Sequence, residues 1–494
     1  MKNILFIISI LAFGLTQAQE RTLYGNPYVS QSMRNNPGFM PKYKFHLGLP
    51  VMSNVSFAFA SPSYALSDIL IGNGANATTQ LNVDGILANT KSTNSIGFDM
   101  GMDLLSFGFR IKEINQITFS ASFHNSVSFG MSDGFVNLAM NGNAGPGMLG
   151  VTHSINNTGL SARSYMDYGL TFTREVIEDK LTVGIRPRFI VGIADASTTN
   201  SEFTLTTDPV SFALQGTSAV DVRVGGIGNP LADNFGDDLM SNLTGFGNTG
   251  FGVDLGGSYQ YNDKLLLSLN VNDLGSIKWN GVTVSRTNSV SIGATPDSIL
   301  LSDEEDAFTD YIFGLFGLPD SVQIDDILST NDNKSYTTGL NTTINIGGSY
   351  VYNDYFIFSG LAQGRFINGR LSPSMTVGGN FKLNDVLYIS LNYSAIDGSY
   401  NNIGAALTLN AGPVQMFVAS DNIFGLTQVD YTNYLNTKFG INFIAGYSDK
   451  KIEKKAKKKA TKGQKKTKSD NKESTKKKDD AKPKKDKESD KKAE

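Results

Sequence analysis

The chain has 494 residues, a formal net charge of −3 and no cysteine, so disulfides, thiolate metal sites and lipid attachment through cysteine are excluded. It is rich in glycine (51), phenylalanine (31) and tyrosine (19). Beyond the N-terminus, no stretch offers the about 20 consecutive apolar residues that a membrane helix needs, which excludes a helical membrane protein.

The first 18 residues have the pattern of a secretory signal peptide. Lys2 supplies the positive charge, residues 4–15 the apolar run, and Ala18 ends a cleavage site of small residues. Cleavage there leaves Gln19 as the mature N-terminus.

Residues 19–42 show no clear periodicity. Pro37 and Pro41 fix the backbone locally and remove two hydrogen-bond donors, so this segment is unlike a sheet strand. We interpret it as a plug inside the structure that follows. The alternative is a mobile lead into the first strand.

From residue 43 to residue 447 the sequence alternates with a period of two, which predicts strands. A phrase with two glycines, an alternating strand and an Asn-Asp turn occurs at Gly256–Asp263, Gly347–Asp354 and Gly378–Asp385. Such turns between one-sided strands are typical of β-hairpins. Behind a signal peptide, this pattern predicts a transmembrane antiparallel β-barrel in the outer membrane.

Short connectors alternate with long ones near residues 61–95, 131–160, 198–245 and 280–335. Placing every short connector on the periplasmic side closes the barrel with about 14 strands and leaves both ends in the periplasm. The last strand ends on the aromatic Tyr447, which is similar to the insertion signal read by barrel-assembly machinery. The alternative for this strand is the edge of a soluble β-sandwich.

Residues 448–494 are predicted to form a disordered periplasmic tail. Residues 450–494 hold 21 lysines and 9 carboxylates, a net charge of +12, whereas the rest of the chain carries −15. With no aromatic residue, this segment cannot bury a core. Its predicted partners are anionic lipid headgroups, peptidoglycan or an acidic periplasmic protein, and secretion argues against nucleic acid. The alternative is a solvated tail that the protein does not require.

Charged residues on the face opposite the apolar one are candidates for the lumen, because charges are costly on the lipid-facing wall. They form either a selectivity surface or pairs that hold the barrel and the plug together. The candidates on the wall and in the plug are Asp99, Asp103, Arg163, Asp167, Arg186, Arg188 and Asp254, with Arg34, Asn36 and Pro37.

The run from Met33 to Pro50 resembles the N-terminal Asn-Pro-Ala region of Bacteroidota outer-membrane barrels, with Gly38 in place of the usual alanine. Val271–Trp279, the Asn-Asp hairpins and Ser420–Gly425 extend this resemblance over about residues 20–447. The group includes the long-chain fatty-acid transporter and the gliding and type IX secretion barrels, and the most similar family is one of unknown function. The resemblance implies a plugged barrel.

No pattern predicts an enzyme, a cofactor or a metal site. The three histidines, His46, His124 and His153, form no cluster in the sequence, and His124 is interpreted as a structural residue of the lumen face. The acidic and apolar loop from Asp303 to Asp320 is interpreted as a solvated loop with a helix over the barrel mouth, or as a contact site.

The leading hypothesis is passage of a small amphipathic or hydrophobic molecule through a plugged lumen. The alternative is a structural subunit of an envelope complex of the type IX secretion or gliding type, which docks through its outer loops and its tail.

Overall fold

The computed structural model describes residues 21–24, 26–71, 80–145, 147–226, 247–292, 335–367, 370–383, 386–396 and 399–447. The signal peptide, the basic tail, the acidic loop and the third Asn-Asp turn lie outside these residues. Within the described ranges, no helix is long and apolar enough to cross a membrane.

Strands dominate the described part of the chain, and its helices are short. The strands are β1 (Tyr43–Gly48), β2 (Val55–Ala60), β3 (Leu70–Ile71), β4 (Gln80–Leu81), β5 (Thr93–Ile111), β6 (Asn115–Ser132), β7 (Thr152–Ser154), β8 (Gly159–Ile177), β9 (Leu181–Thr207), β10 (Leu214–Gly225), β11 (Thr249–Gln260), β12 (Leu265–Trp279), β13 (Gly281–Ile292), β14 (Tyr336–Gly339), β15 (Thr343–Val351), β16 (Phe356–Ile367), β17 (Arg370–Leu383), β18 (Leu387–Ile396), β19 (Ser399–Ala411), β20 (Val414–Ser420) and β21 (Tyr434–Tyr447). The helices are α1 (Ser32–Asn35), α2 (Leu66–Ile69), α3 (Val83–Asn89), α4 (Asp133–Asn141) and α5 (Ile423–Thr427), with a 3₁₀ turn at Val429–Tyr431.

The sheet closes into an antiparallel barrel. β1 and β2 occupy one wall position, because both pair with β5 on one side and with β21 on the other. β14 and β15 share another position beside β12. With β5, β6, β8, β9, β11, β12 and β16 to β21, the circuit has 14 positions, which confirms the predicted transmembrane barrel and its strand number.

Side chains alternate across the wall as the sequence predicts. On β11 and β12, Phe251 is 69% exposed and Leu269 is 55% exposed, and both face outward. Asp254 and Asn270, on the opposite face of the same strands, are each 1% exposed. An apolar outer face and a polar inner face are what a barrel in lipid requires.

The connectors segregate to two ends of the barrel. One end carries short turns at residues 112–114, 178–180, 261–264, 352–355 and 412–413, and we call it the short-turn end. The long connectors reach the other end, the long-loop end. There the expected loop over 198–245 is wrong in part, because β9 continues to Thr207 and pairs with β10.

The extension of β9 to Thr207 forms a strand because its residues pack in an apolar core of their own. Phe203 and Leu205 of β9 and Leu214 of β10 pack with Ile155, and Phe135 of α4 lies against them. β13 pairs with the far side of β10 and so lengthens the same sheet beyond the wall.

An apolar cluster lies on the inner face of β8, β9 and β12 toward the long-loop end. Trp279 is fully buried with Ile190 and Ile277, and its indole Nε1 donates to Thr338 Oγ1 at 2.8 Å. Replacing a buried aromatic side chain by alanine leaves a cavity and removes many contacts.

We therefore expect Trp279→Ala to lower the free energy of unfolding by about 3–5 kcal/mol, measured by urea titration in phospholipid vesicles. Phe251→Ala removes an aromatic ring from the lipid-facing wall and serves as the control. Equal losses in the two variants would contradict this role for the cluster.

Candidate functional site

Residues 21–42 lie inside the barrel as a plug and contain the single turn of α1. The plug contacts opposite sides of the wall. Near its start, the Thr22 amide donates to Asp421 Oδ1 at 2.9 Å. Further along, Gln31 Nε2 donates to Asn442 Oδ1 at 3.1 Å, and Thr173 Oγ1 donates to the Pro37 carbonyl at 2.7 Å.

Glycines of the wall make room for the plug backbone. A Cβ at Gly184 would lie 1.9 Å from the Pro37 carbonyl oxygen, and one at Gly256 would lie 2.0 Å from Asn36 Oδ1. A Cβ at Gly38 of the plug would lie 2.6 Å from the Cα of Gly257. The glycine pair of the repeated phrase therefore forms part of the seat of the plug.

Two arginines of β9 form the centre of the lumen. Arg186 and Arg188 are two positions apart, so their side chains project from the same face of the strand. Arg186 Nη2 lies 2.7 Å from Asp167 Oδ1 of β8, and its Nη1 lies 3.3 Å from Asp254 Oδ2 of β11. Arg188 Nη2 lies 3.1 Å from Asp254 Oδ1 and 2.7 Å from Asp273 Oδ1 of β12.

A β-bulge brings Asp273 into this network. Between Leu255 and Val253 of β11, the register on β12 advances from Val271 to Leu274. Asp273 takes a φ of +61°, and its amide donates to Asp254 Oδ1 at 2.7 Å. A bulge changes the alternation locally, which period-two reasoning on the sequence does not anticipate.

The plug joins the network through Arg34, which pairs with Asp103 of β5. Asn272, next to the bulge, donates to the backbone carbonyls of Arg34 and Asn35 at 3.2 and 2.9 Å. Burial and the nearby guanidinium of Arg186 lower the pKa of Arg34 to about 10, so this group stays cationic at neutral pH.

Two of the candidate residues lie in other pairs. Arg163 Nε donates to Asp195 Oδ1 at 2.8 Å, and Asp195 also accepts from Tyr336. Asp99 lies 3.7 Å from Arg365 of β16. The structure thus places the ten candidate residues inside the barrel and brings six of them together, namely Arg34, Asp103, Asp167, Arg186, Arg188 and Asp254.

His124 also belongs to this site, although its position in the sequence indicated only a structural residue of the lumen face. Its Nε2 lies 2.5 Å from Asp167 Oδ2, and its ring stacks on Tyr165 with centroids 4.8 Å apart. Its position on the lumen face was readable from the alternation, but its partner was not, because that depends on the register of β6 and β8.

A cavity of about 110 Å³ lies between the plug and this network. Three guanidinium groups and two carboxylates line it. These groups belong to Arg34, Arg186, Arg188, Asp254 and Asp273, and the buried side chain of Lys438 also faces the cavity. The cavity is too small for a long hydrocarbon chain, and its surface suits a small polar or anionic group.

A family model matches residues 37–421, from Pro37 of the plug to Asp421, which binds the start of the plug. The chain belongs to this family, the family of unknown function DUF5723. The predicted membership of such a family is confirmed, and the relation to Bacteroidota and to type IX secretion stays a prediction. A search of curated proteins finds no match.

Solved structures similar to the chain include a FadL homologue and a toluene transporter. A FadL homologue of Pseudomonas aeruginosa is 10% identical with a TM-score of 0.41, over 88% of this chain and 98% of that one. The toluene transporter TbuX of Ralstonia pickettii is 10% identical with a TM-score of 0.40, over 85% of this chain and 95% of that one. At these TM-scores, no argument about function rests on the likeness.

Asp167 tests the network, because its two oxygens face Arg186, Arg188 and His124. Asp167→Asn removes a negative charge that compensates the buried guanidinium groups of Arg186 and Arg188. We therefore expect the free energy of unfolding to fall by about 3–5 kcal/mol. Asp354→Asn, in an exposed hairpin turn, is the control, with an expected change within about 0.5 kcal/mol. Urea titration in vesicles measures both, and a similar change in the two would contradict the role of the network.

The close approach of the wall glycines to the plug predicts an effect on how firmly the plug is held. Gly184→Val places side-chain atoms where the Pro37 carbonyl lies, so the plug has to leave. We expect trypsin to cleave after Arg34 or Lys42 at least about tenfold faster, the change that 1.4 kcal/mol of lost seating free energy produces. Gly360→Val, at a position with no atom within 4 Å, should leave cleavage unchanged. Equal rates in the two variants would contradict the seat.

Proposed function

We propose that this outer-membrane barrel lets a small amphipathic molecule with an anionic end cross the membrane when its plug leaves the seat. The observation that carries the proposal is the cavity of about 110 Å³ at the boundary between the plug and the wall. Three guanidinium groups and two carboxylates line it, and this excess of guanidinium groups favours a carboxylate, sulfonate or phosphate group.

The way the plug is held supports movement. Its polar contacts with the wall include hydrogen bonds of Thr22, Gln31 and Pro37 and the ion pairs Arg21–Asp421 and Arg34–Asp103. Leu23 and Val29 add a small apolar contact with Ala406, Phe417 and Ala419 of the wall. Each hydrogen bond is worth only about 0.5–1.5 kcal/mol net, because water replaces the partner when the plug moves. Because the plug is not a strand of the sheet, its departure from the lumen does not break the pairing of the wall strands.

An engineered disulfide tests whether the plug has to move. The chain has no cysteine, and a Cβ at Gly404 would lie 2.7 Å from Thr22 Oγ1. In Thr22→Cys/Gly404→Cys the two sulfurs are within bonding reach, so oxidation ties the start of the plug to β19. Thr22→Cys alone is the matched control, since it cannot form the bond.

The probe is 1-anilinonaphthalene-8-sulfonate, an amphipathic anion, entering vesicles that enclose serum albumin. We expect the wild type, the single variant and the reduced double variant to admit the probe faster than protein-free vesicles do. Oxidation of the double variant should reduce entry to the protein-free rate. Entry that is unaffected by oxidation would overturn the movement of the plug, and no entry through the wild type would overturn passage itself.

A second candidate is a structural subunit of an envelope complex, and the paired charges that fill the lumen favour it. This function predicts stoichiometric partners in a gentle-detergent purification, and loss of some of them when the chain is truncated after Ser448. A lone barrel in both preparations would count against it. The basic tail is proposed as the attachment in that case, to an acidic protein or to peptidoglycan.

A further inference from the structure

The outer wall has an apolar groove where β9, β11 and β12 run side by side. The register aligns Val183, Gly257 and Leu269 in one row across the three strands. Gly257 contributes no side chain between its two neighbours, so the row is interrupted in its middle. A groove of about 560 Å³ results.

The groove lies on the lipid side of the wall. Val183, Leu255 and Leu269 line it, and they belong to the outward face, where they are 39%, 44% and 55% exposed. The inward neighbours of Gly257, Gly256 and Ser258, contact the plug on the other side of the sheet. Lipid hydrocarbon is therefore the medium that covers this groove.

The position of the groove along the strands indicates which leaflet of the membrane covers it. Leu181, at one edge of the groove, directly follows the turn at residues 178–180, and Tyr259 lies just before the turn at 261–264. The groove is thus in the leaflet next to the short-turn end. The charged residues exposed on these two turns are Lys180 and Lys264, with the carboxylates of Glu178, Asp179 and Asp263.

We propose that the groove binds one acyl chain of a phospholipid from this leaflet, with the phosphate of its headgroup beside Lys180 and Lys264. The chain fills the space that Gly257 leaves, and the lysines supply the charge complementary to phosphate. The mixed charges of the two turns suit a zwitterionic headgroup, as in phosphatidylethanolamine. This site is independent of the proposed passage through the lumen.

The site is separated from the plug only by the backbone of β11. Gly38 of the plug packs against the Cα of Gly257 from inside, and the acyl chain covers Gly257 from outside. Occupancy of the groove therefore supports the wall at the place where the plug rests against it.

Gly257→Leu tests the site, because it fills the groove from the wall itself. The nearest atom to a Cβ at this position is the Thr182 carbonyl oxygen at 3.8 Å, so the new side chain projects outward without touching the plug. Gly360→Leu is the matched control. Gly360 also lies on the outward face, no atom lies within 4 Å of its Cβ position, and it does not line the groove.

The measurement is native mass spectrometry of the detergent-purified, full-length protein with added palmitoyl-oleoyl-phosphatidylethanolamine. We expect one lipid to survive activation on the wild type and on Gly360→Leu, and its occupancy to fall at least fivefold on Gly257→Leu. Equal occupancy in all three proteins would overturn the proposal, and so would retention of lipopolysaccharide in place of phospholipid.

A second measurement uses the wild type alone and does not depend on the folding of a variant. Phosphatidylethanolamine with a diazirine on its acyl chain is photolysed in vesicles that contain the protein, and the adducts are mapped by peptide sequencing. We expect them to concentrate in residues 181–185 and 255–271. Adducts spread evenly over the outward face of the barrel would overturn the site.

Discussion

The pairing of charges around Arg186 and Arg188 is the constraint on which the interior depends. Two guanidinium groups in a closed lumen are tolerable only when carboxylates compensate them, and Asp167, Asp254 and Asp273 come from three different strands. The network therefore ties β8, β9, β11 and β12 to one register. The plug becomes part of the same arrangement through Arg34, so the wall and its plug are not independent.

The interior contains two parts that are held in different ways. Toward the long-loop end, Trp279 and its neighbours pack tightly against one another on the side of the wall formed by β8, β9 and β12. Below them, the plug occupies the lumen through polar contacts, through backbone against backbone at Gly256 and Gly257, and through Leu23 and Val29 packed on the wall. The apolar cluster contributes to the stability of the barrel. In the proposed function, the plug controls access to the lumen.

The sequence predicted the architecture because the evidence for it is local. Alternation and Asn-Asp turns determine the strands, the 14 wall positions and the face on which Asp167 and Arg186 lie. Partners were not predictable, since they depend on register, and the bulge at Asp273 reverses the alternation that the prediction uses. The extension of β9 was missed for a related reason: its small core forms only with α4, far away in the sequence.

The position of the plug has a consequence for biogenesis. Residues 21–42 precede the first strand, yet they bind Asp421 and Asn442 near the other end of the chain. Asn442 belongs to β21, which joins β1 and β2 at the closing seam. Because a closed wall offers no lateral entrance, threading is simplest when the earliest part of the chain already waits inside while the final strand is added. The plug then acts as an internal template on which the seam is completed.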